Sequence, residues 1–499
     1  MARPRTAISA GSELGAKAGE IVARDGGNAV DVCLASAVMG WVAEPFFASI
    51  GGSGFIAIRT PGGPVEVVDG NLTMPLTPPD EPGQGIRRVY MDYSDGMYTG
   101  IGGGAVGVPG ILAAAYRAWE RHGRIEWPAI LAPAIAAARD GFPFPKTSAY
   151  YLSVTWDPIW SRFESSAGIF GPEGRPLAEG EPLVQAELAE ALEIIAESGP
   201  KSFYEGDLAT EIEAAIQADG GFMRVEDLTR YEAVVREPIA TESFGWKIQS
   251  NPPPAVGGAV LVHMLALLAN AKVDDPVDRL RAIVEAQSEA VGHRQEHYKD
   301  PDTIAAGLDA AIKGVQSRAM RSPATTHASS ADADGYACSL TESNGYGAGM
   351  AVHGMLLNNT LGEEELNPLG IHSLRPGSRC HSNMAPTIAT GRDRVVAVGS
   401  PGADRIVGAI AQTVLRLALD GESLADAVAA PRAHVDFRHE GARLCYEPGL
   451  PGEEIPGYTL RPYDEIHMYF GGVQAASVTM DGKVDAAHDP RRSGGSLVI

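Results

Sequence analysis

The run Pro323-Ala324-Thr325-Thr326-His327 puts a threonine at the start of a strand-like alternation in the middle of a 499-residue chain, and it can be a cut site and a nucleophile at once. A threonine hydroxyl reacts only when a base lies beside it, and the nearest base it can acquire is its own backbone nitrogen, freed as an amine. Scission of the Ala324–Thr325 bond frees it. In that step Oγ of Thr325 attacks the Ala324 carbonyl, an N-to-O acyl shift gives an ester, and water releases the α-amine. With a reference pKa of about 7.7 to 8.0 the amine is partly neutral at pH 7 and can take the hydroxyl proton. An isolated Thr-Thr pair is more often ordinary strand sequence. The expected product is two fragments, 1–324 and 325–499, held together as one globular unit.

Other reactive side chains offer less. Cys33, Cys338, Cys380 and Cys445 are scattered without paired or metal-like spacing, so neither a disulfide framework nor a zinc site is expected. Histidines 327, 353, 372, 381, 434 and 488 lack the paired ligand spacing of a helix-borne metal site, and structural roles are expected for them. The Gly102-Gly103-Gly104 run lacks a strand-to-helix phosphate fingerprint. No cofactor and no metal is expected.

The elements that must position Thr325 follow from local signals. Gly26-Gly27-Asn28-Ala29-Val30-Asp31 opens an alanine-rich run to Val42 that predicts a buried helix, and Gly51–Arg59 with Val65–Asp69 around a Pro-Gly-Gly turn predicts a hairpin. Helical spacing recurs from Gly110 to Ala137 and from Pro182 to Ile216. After the Pro252-Pro253-Pro254 interruption a helix resumes at Ala259–Leu268, and Asp275-Pro276 caps another that runs to Lys299. The stretch from Ile304 to Ala324 is expected to be an exposed lead-in to the cut. Beyond it, Thr326–Ser330 and Ala337–Thr341 flank the turn signal Asp334-Gly335. Strands at 395–398 and 475–480 and helices at 406–419 and 424–430 complete an α+β pattern of stacked sheets covered by helices.

Composition limits the partners. With 40 basic and 63 acidic residues the formal charge is -23, which repels nucleic acid and anionic membrane surfaces and leaves small molecules as the expected substrates. No apolar leader follows Met1-Ala-Arg-Pro-Arg-Thr, and charges interrupt every apolar stretch, so a cytoplasmic location without a membrane partner is the expectation.

Ten segments together resemble the γ-glutamyltransferase (γ-glutamyltranspeptidase) family of amino-terminal-nucleophile hydrolases, in the family's order and over the whole chain. They are Gly26–Asp31, Glu44-Pro45 with Ile50–Phe55, Gly107–Gly110, Pro252–Pro254 with Gly257-Gly258, Thr325–His327, Asn358-Asn359, Met384–Thr387, Gly399–Gly402, Ala430–Arg432 and Asp489–Arg492. The resemblance implies a four-layer αββα sandwich, a self-cutting precursor and Thr325 as the new amino terminus, and it is what favours the chemistry at Thr325 over ordinary strand sequence. It also implies a heterodimer of the two fragments, with a dimer of heterodimers possible.

The same resemblance assigns further site residues. A hydroxyl supporting the nucleophile and an amide holding the substrate fall in Thr341–Tyr346: keeping the amide selects Ser343 and Asn344, whereas counting back from Tyr346-Gly347 selects Thr341 and Ser343. Gly402 and Ala403 occupy the oxyanion-hole positions, Ala403 standing where a second glycine is usual. The carboxylate-binding arginine falls on Asn71, the acid for the substrate amine on Glu363 instead of an aspartate, and the usual serine pair on Ser382-Asn383. Asn71 cannot supply the missing charge. Either the cation comes from elsewhere, such as Arg87, Arg88 or Arg379, as in a conventional γ-glutamyl enzyme, or the donor is not a γ-glutamyl compound. The second reading is preferred, with a small amide or a carbon–carbon bond beside a carbonyl in secondary metabolism as the target. An uncleaved, inactive binding homologue is the alternative of another class.

Overall fold

The computed structural model describes residues 5–92, 96–300, 304, 308, 325–437 and 441–499. Ala324 and nearly all of the expected lead-in to the cut lie outside the described residues.

Helix formation follows the sequence signals closely where they are local. Asn28 caps the helix Ala29–Ala43: its Oδ1 accepts from the N–H groups of Val30 and Asp31 at 2.8 and 3.1 Å, and Asp31 Oδ2 accepts from the Asn28 N–H at 2.9 Å. Such a reciprocal cap stabilises by about 1 kcal/mol, so the Gly26–Asp31 segment is explained by helix initiation. Every residue of that helix is buried, which is why it shows no polar stripe. Asp275 caps Pro276–His297 one way only, its Oδ1 accepting from the N–H groups of Val277 and Asp278. The helical regions of the middle resolve into Ile111–His122, Trp127–Asp140, Ala186–Ser198 and Asp207–Ala218. The helix expected over 406–419 instead ends at Leu415 and continues as a π-helical segment, Arg416–Asp420.

Two antiparallel sheets dominate the structure. The first has seven strands in the order Gly495–Val498, Thr6–Ala10, Thr326–Asp332, Ala337–Ser343, Ser53–Arg59, Val65–Gly70 and Val234–Arg236. The second has six: Val484–His488, Gln474–Thr479, Arg394–Gly399, Thr387–Thr390, Trp246–Ser250 and Ile239–Ser243. Strands from both sides of position 325 therefore interleave in the first sheet and adjoin in the second.

Three apolar clusters explain how the sheets are covered. Ala7, Phe55, Ala57 and Ala331 of the first sheet share one cluster with Ile388, Ala397 and Val478 of the second. Ile8, Ile56, Val68 and Leu340 pack instead with Leu34 and Val38 of Ala29–Ala43 and Leu112 of Ile111–His122. Ile248, Val396 and Val398 pack with Leu261 of Gly257–Leu268, Ile283 of Pro276–His297 and Ile410 of Arg405–Leu415. The alternation of strand side chains thus sends each sheet's two faces into different clusters.

The hairpin that carries Thr325 has a three-residue turn. Asp332 N–H donates to Tyr336 O and Gly335 N–H to Asp332 O, both at 3.0 Å, with Gly335 at φ +99°. That turn sets the register Thr326↔Glu342 and His327↔Thr341.

Candidate active site

Register places Thr325, one residue before the strand Thr326–Asp332, opposite Ser343, the last residue of the facing strand. Both line a narrow cavity together with Asn71, Glu363, Ser382, Asn383 and Ala403. Seven of the residues selected from the sequence are thus brought together from six separate stretches of chain. Thr341 lies two residues back on the same strand, buried away from the cavity lining, where its Oγ1 is 2.8 Å from Nδ1 of His327. Asn344 is also outside the lining; its amide is buried and has no hydrogen-bond partner among the described residues.

His327 continues a polar layer into the space between the sheets. Its Nε2 is 2.8 Å from Ser329 Oγ, and Ser9 Oγ donates to Gln474 Oε1 at 2.6 Å nearby in the same layer. Burial pulls the imidazole down to about 3, so it is neutral at physiological pH. A neutral ring can accept from one hydroxyl and donate to another, which suits it to fix Thr341 and Ser329 without adding charge.

Ala403 lines the cavity just before the helix Arg405–Leu415; Gly402, its neighbour in the chain, lies outside the lining. Neither backbone N–H donates a hydrogen bond among the described residues. Two free amides just ahead of the positive end of an 11-residue helix can stabilise an oxyanion. Ala403 holds φ +62° and Gly402 φ +123°. The left-handed conformation costs an alanine about 1 to 2 kcal/mol, so Ala403→Gly is expected to raise the free energy of unfolding by up to about 1 kcal/mol, part of the gain being returned by the greater freedom of the unfolded chain. Urea denaturation measures it.

The recognition residues are uncharged where a cation is usual. Asn71 donates through Nδ2 to Cys380 O at 2.5 Å, and its own carbonyl accepts from Arg379 Nη1 at 2.7 Å. Arg379 is committed elsewhere: it also pairs with Asp69 at 3.2 Å and with the Tyr231 hydroxyl at 2.8 Å. Arg87 forms a two-pronged pair with Asp219, and Arg88 pairs with Glu364. No arginine or lysine is among the described residues lining the cavity.

Glu363 is the cavity's acid. It sits against Gly345, where a Cβ would come within 2.4 Å of Glu363 Oε1 and 2.3 Å of Asn359 Oδ1, and where φ is +62°. A glycine is required there on both counts. Asn383 turns an amide with no partner among the described residues toward the cavity wall.

Sequence reasoning missed several wall residues. Ser53 opens the Ser53–Arg59 strand within the glycine-rich run Gly51–Gly54, and His381 immediately precedes Ser382-Asn383, so adjacency to motif residues was the available signal. His381 Nε2 lies 3.0 Å from Lys299 O, and since a carbonyl only accepts, that nitrogen carries the proton. Burial, with Arg294 adding to it, pulls His381 down to about 4. It presents a neutral ring. The four cysteines are all free and buried. No metal-holding cluster occurs among the described residues, and none of their helices is long and apolar enough to cross a membrane.

Similarity to known proteins identifies an enzyme of the amino-terminal-nucleophile hydrolase and transferase class. The family described as Gamma-glutamyltranspeptidase matches residues 15–499, and the chain belongs to that family. It is 29% identical to the glutathione hydrolase proenzyme of Escherichia coli strain K12, over 94% of this chain and 87% of that protein. It is equally 29% identical to the acylase ACY 1 proenzyme of Pseudomonas sp. strain SE83, covering 97% and 92%. Among solved structures, cephalosporin acylase from Bacillus halodurans superposes with a TM-score of 0.85 at 24% identity, over 99% of this chain and 96% of that one.

Proposed function

We propose that the chain is a self-processing threonine hydrolase or acyltransferase that cuts before Thr325 and then forms an acyl-enzyme through that residue on a small donor other than a γ-glutamyl compound. The carrying observation is the cavity that joins Thr325 and Ser343 to Ala403, whose free amide adjoins that of Gly402, without an arginine or lysine among its described lining. In this reading Thr325 Oγ attacks the donor carbonyl, its own amine takes the proton, the two amides hold the oxyanion, and Ser343 orients the hydroxyl. Glu363, Ser382 and Asn383 hold the substrate, and Asn71 shapes the wall. Water or an amine then releases the acyl group.

A donor with a free α-carboxylate needs a matching cation, because a buried anion without a partner is costly. A neutral acyl group does not. The 29% identity to a protein named acylase supports a small amide as the bond broken. The four-layer αββα arrangement is supported by the apolar cluster between the sheets and the helix-bearing clusters on their far faces. Interleaving of strands from before and after position 325 supports a stable heterodimer after the cut.

The test compares donors on the processed protein. Hydrolysis of a γ-glutamyl anilide is expected to run at least about 100-fold below that of the glutathione hydrolase relative, the loss of one buried charge pair being worth about 3 kcal/mol. Turnover equal to that relative's would sink the altered-donor reading, and the mass of an acyl group trapped on Thr325 identifies the true donor.

A further inference from the structure

Behind the nucleophile lie two carboxylic acids that the reaction just described leaves without a role. Alternation along the strands sends Thr326 and its register partner Glu342 to the opposite face from Thr325 and Ser343. There Thr326 Oγ1 donates to Glu44 Oε2 at 3.1 Å, and Trp41 Nε1 donates to Glu342 Oε2 at 2.8 Å. Both acids are buried. The backbone of Gly11 closes over the contact so tightly that a Cβ there would lie 2.2 Å from Thr326 Oγ1 and 2.8 Å from both Glu44 oxygens.

The groups that face this pair come from every element around it. Glu44 ends the helix Ala29–Ala43, Glu342 comes from Ala337–Ser343, the Ser12 hydroxyl follows Thr6–Ala10, and Arg492 supplies a positive charge from the segment after Asp489. Burial drives Glu44 up to about 7 against the opposing pull of Arg492, Thr326 and Ser12. Burial likewise raises Glu342 well above its usual value, Trp41 opposing and Glu44 adding. Near neutral pH Glu44 therefore exchanges a proton.

We propose that Glu44 is a positioning residue: by holding the Thr326 hydroxyl it fixes the first residue of the strand and so sets where Thr325 meets the scissile carbonyl. The proposal rests on Thr325 being the self-cleaving nucleophile. An ionised carboxylate is a hydrogen-bond acceptor about twice as strong as a neutral one, so the anchor tightens as Glu44 loses its proton.

Self-cleavage isolates this effect, because residue 325 has no free amine to titrate until the bond is cut. Freshly purified precursor is incubated between about pH 5.5 and 8.5 and the cut followed by denaturing electrophoresis. The parent rate is expected to rise through an ionisation near 7. Glu44→Gln should lower the rate at pH 8 about tenfold, as the loss of one charged hydrogen bond predicts, and remove the inflection. Thr326→Val should do the same and Thr326→Ser should restore the parent profile. In the processed enzyme Glu44→Gln should lower kcat and leave KM within about twofold, since the contact touches no substrate.

If circular dichroism shows Glu44→Gln to be unfolded, Thr326→Val decides alone. A folded Glu44→Gln or Thr326→Val precursor that cuts with the parent's rate and pH profile overturns the proposal while leaving Thr325 in its role. A parent that never cuts, or a Thr325→Ala chain that still does, removes the nucleophile and the proposal together.

Discussion

Thr325→Ala is expected to leave one uncut polypeptide after long incubation, and to lower turnover of any donor by at least about 10³-fold, the scale of losing a nucleophile that works as a unit with its base. The physical argument is positional. Thr325 is the cavity residue opposite Ser343, and Ala403, with a free amide next to that of Gly402, lines the same cavity, so in the proposed reaction an oxyanion formed by its attack has a donor at hand. Alanine keeps the backbone and the strand register but has no oxygen to form the ester. Thr325→Ser keeps the oxygen and should still cut. Denaturing electrophoresis with amino-terminal sequencing reads both outcomes. Scission of the alanine variant at the same bond would mean another agent does the cutting, and a parent that stays whole would favour an inactive binding homologue.

The choice between Thr341, Ser343 and Asn344 shows where sequence reading stops. Thr341 and Ser343 share a strand face, so alternation alone admits both. The turn decides it. A two-residue turn at Asp334-Gly335 would pair position 325 with 344, whereas the observed turn holds three residues and pairs it with 343. One residue in a turn therefore moves the facing side chain from an amide to a hydroxyl, and the dipeptide signal does not specify loop length.

Local signals served well elsewhere. The caps at Asn28 and Asp275 and the hairpin Ser53–Arg59 with Val65–Gly70 are written within a few residues of where they act. The strand Thr6–Ala10 is not. Its partners are Thr326–Asp332 and Gly495–Val498, hundreds of residues away, and because all five residues are buried it lacks the alternation that marks a half-exposed strand. Asn71 was selected by position, but that Arg379 is spent on Asp69 and Tyr231 depends on side chains that only the fold brings together.

The segment Asp489–Arg492 reads in sequence as a family hallmark and in the structure as a buried charge network. Asp489 lies 2.6 Å from Arg432 and 3.0 Å from Arg491, and accepts from the N–H of Val473 at 2.8 Å. Glu447 also pairs with Arg491 and accepts from the Arg432 N–H at 2.8 Å. Burial alone would raise the Asp489 carboxyl, but the two guanidiniums outweigh it and hold it below its usual range. Asp489→Ala strands one buried guanidinium and weakens the other, and is expected to cost about 3 to 5 kcal/mol in urea unfolding at pH 7. Because the folded pKa is depressed, that stabilisation is fully present above the unfolded value of about 3.9 and is lost as pH falls through the folded one. The difference between parent and variant should therefore begin to shrink below about pH 4 and vanish only below the depressed folded value. The same network approaches the amides proposed to hold the oxyanion: Arg432 donates to Phe470 O at 3.3 Å, and Gly402 sits so close to Gly471 that a Cβ would lie 3.0 Å from its Cα. Asp489→Ala should thus lower kcat as well as stability, and a variant within about 0.5 kcal/mol of the parent at pH 7 would show that the two arginines find other partners.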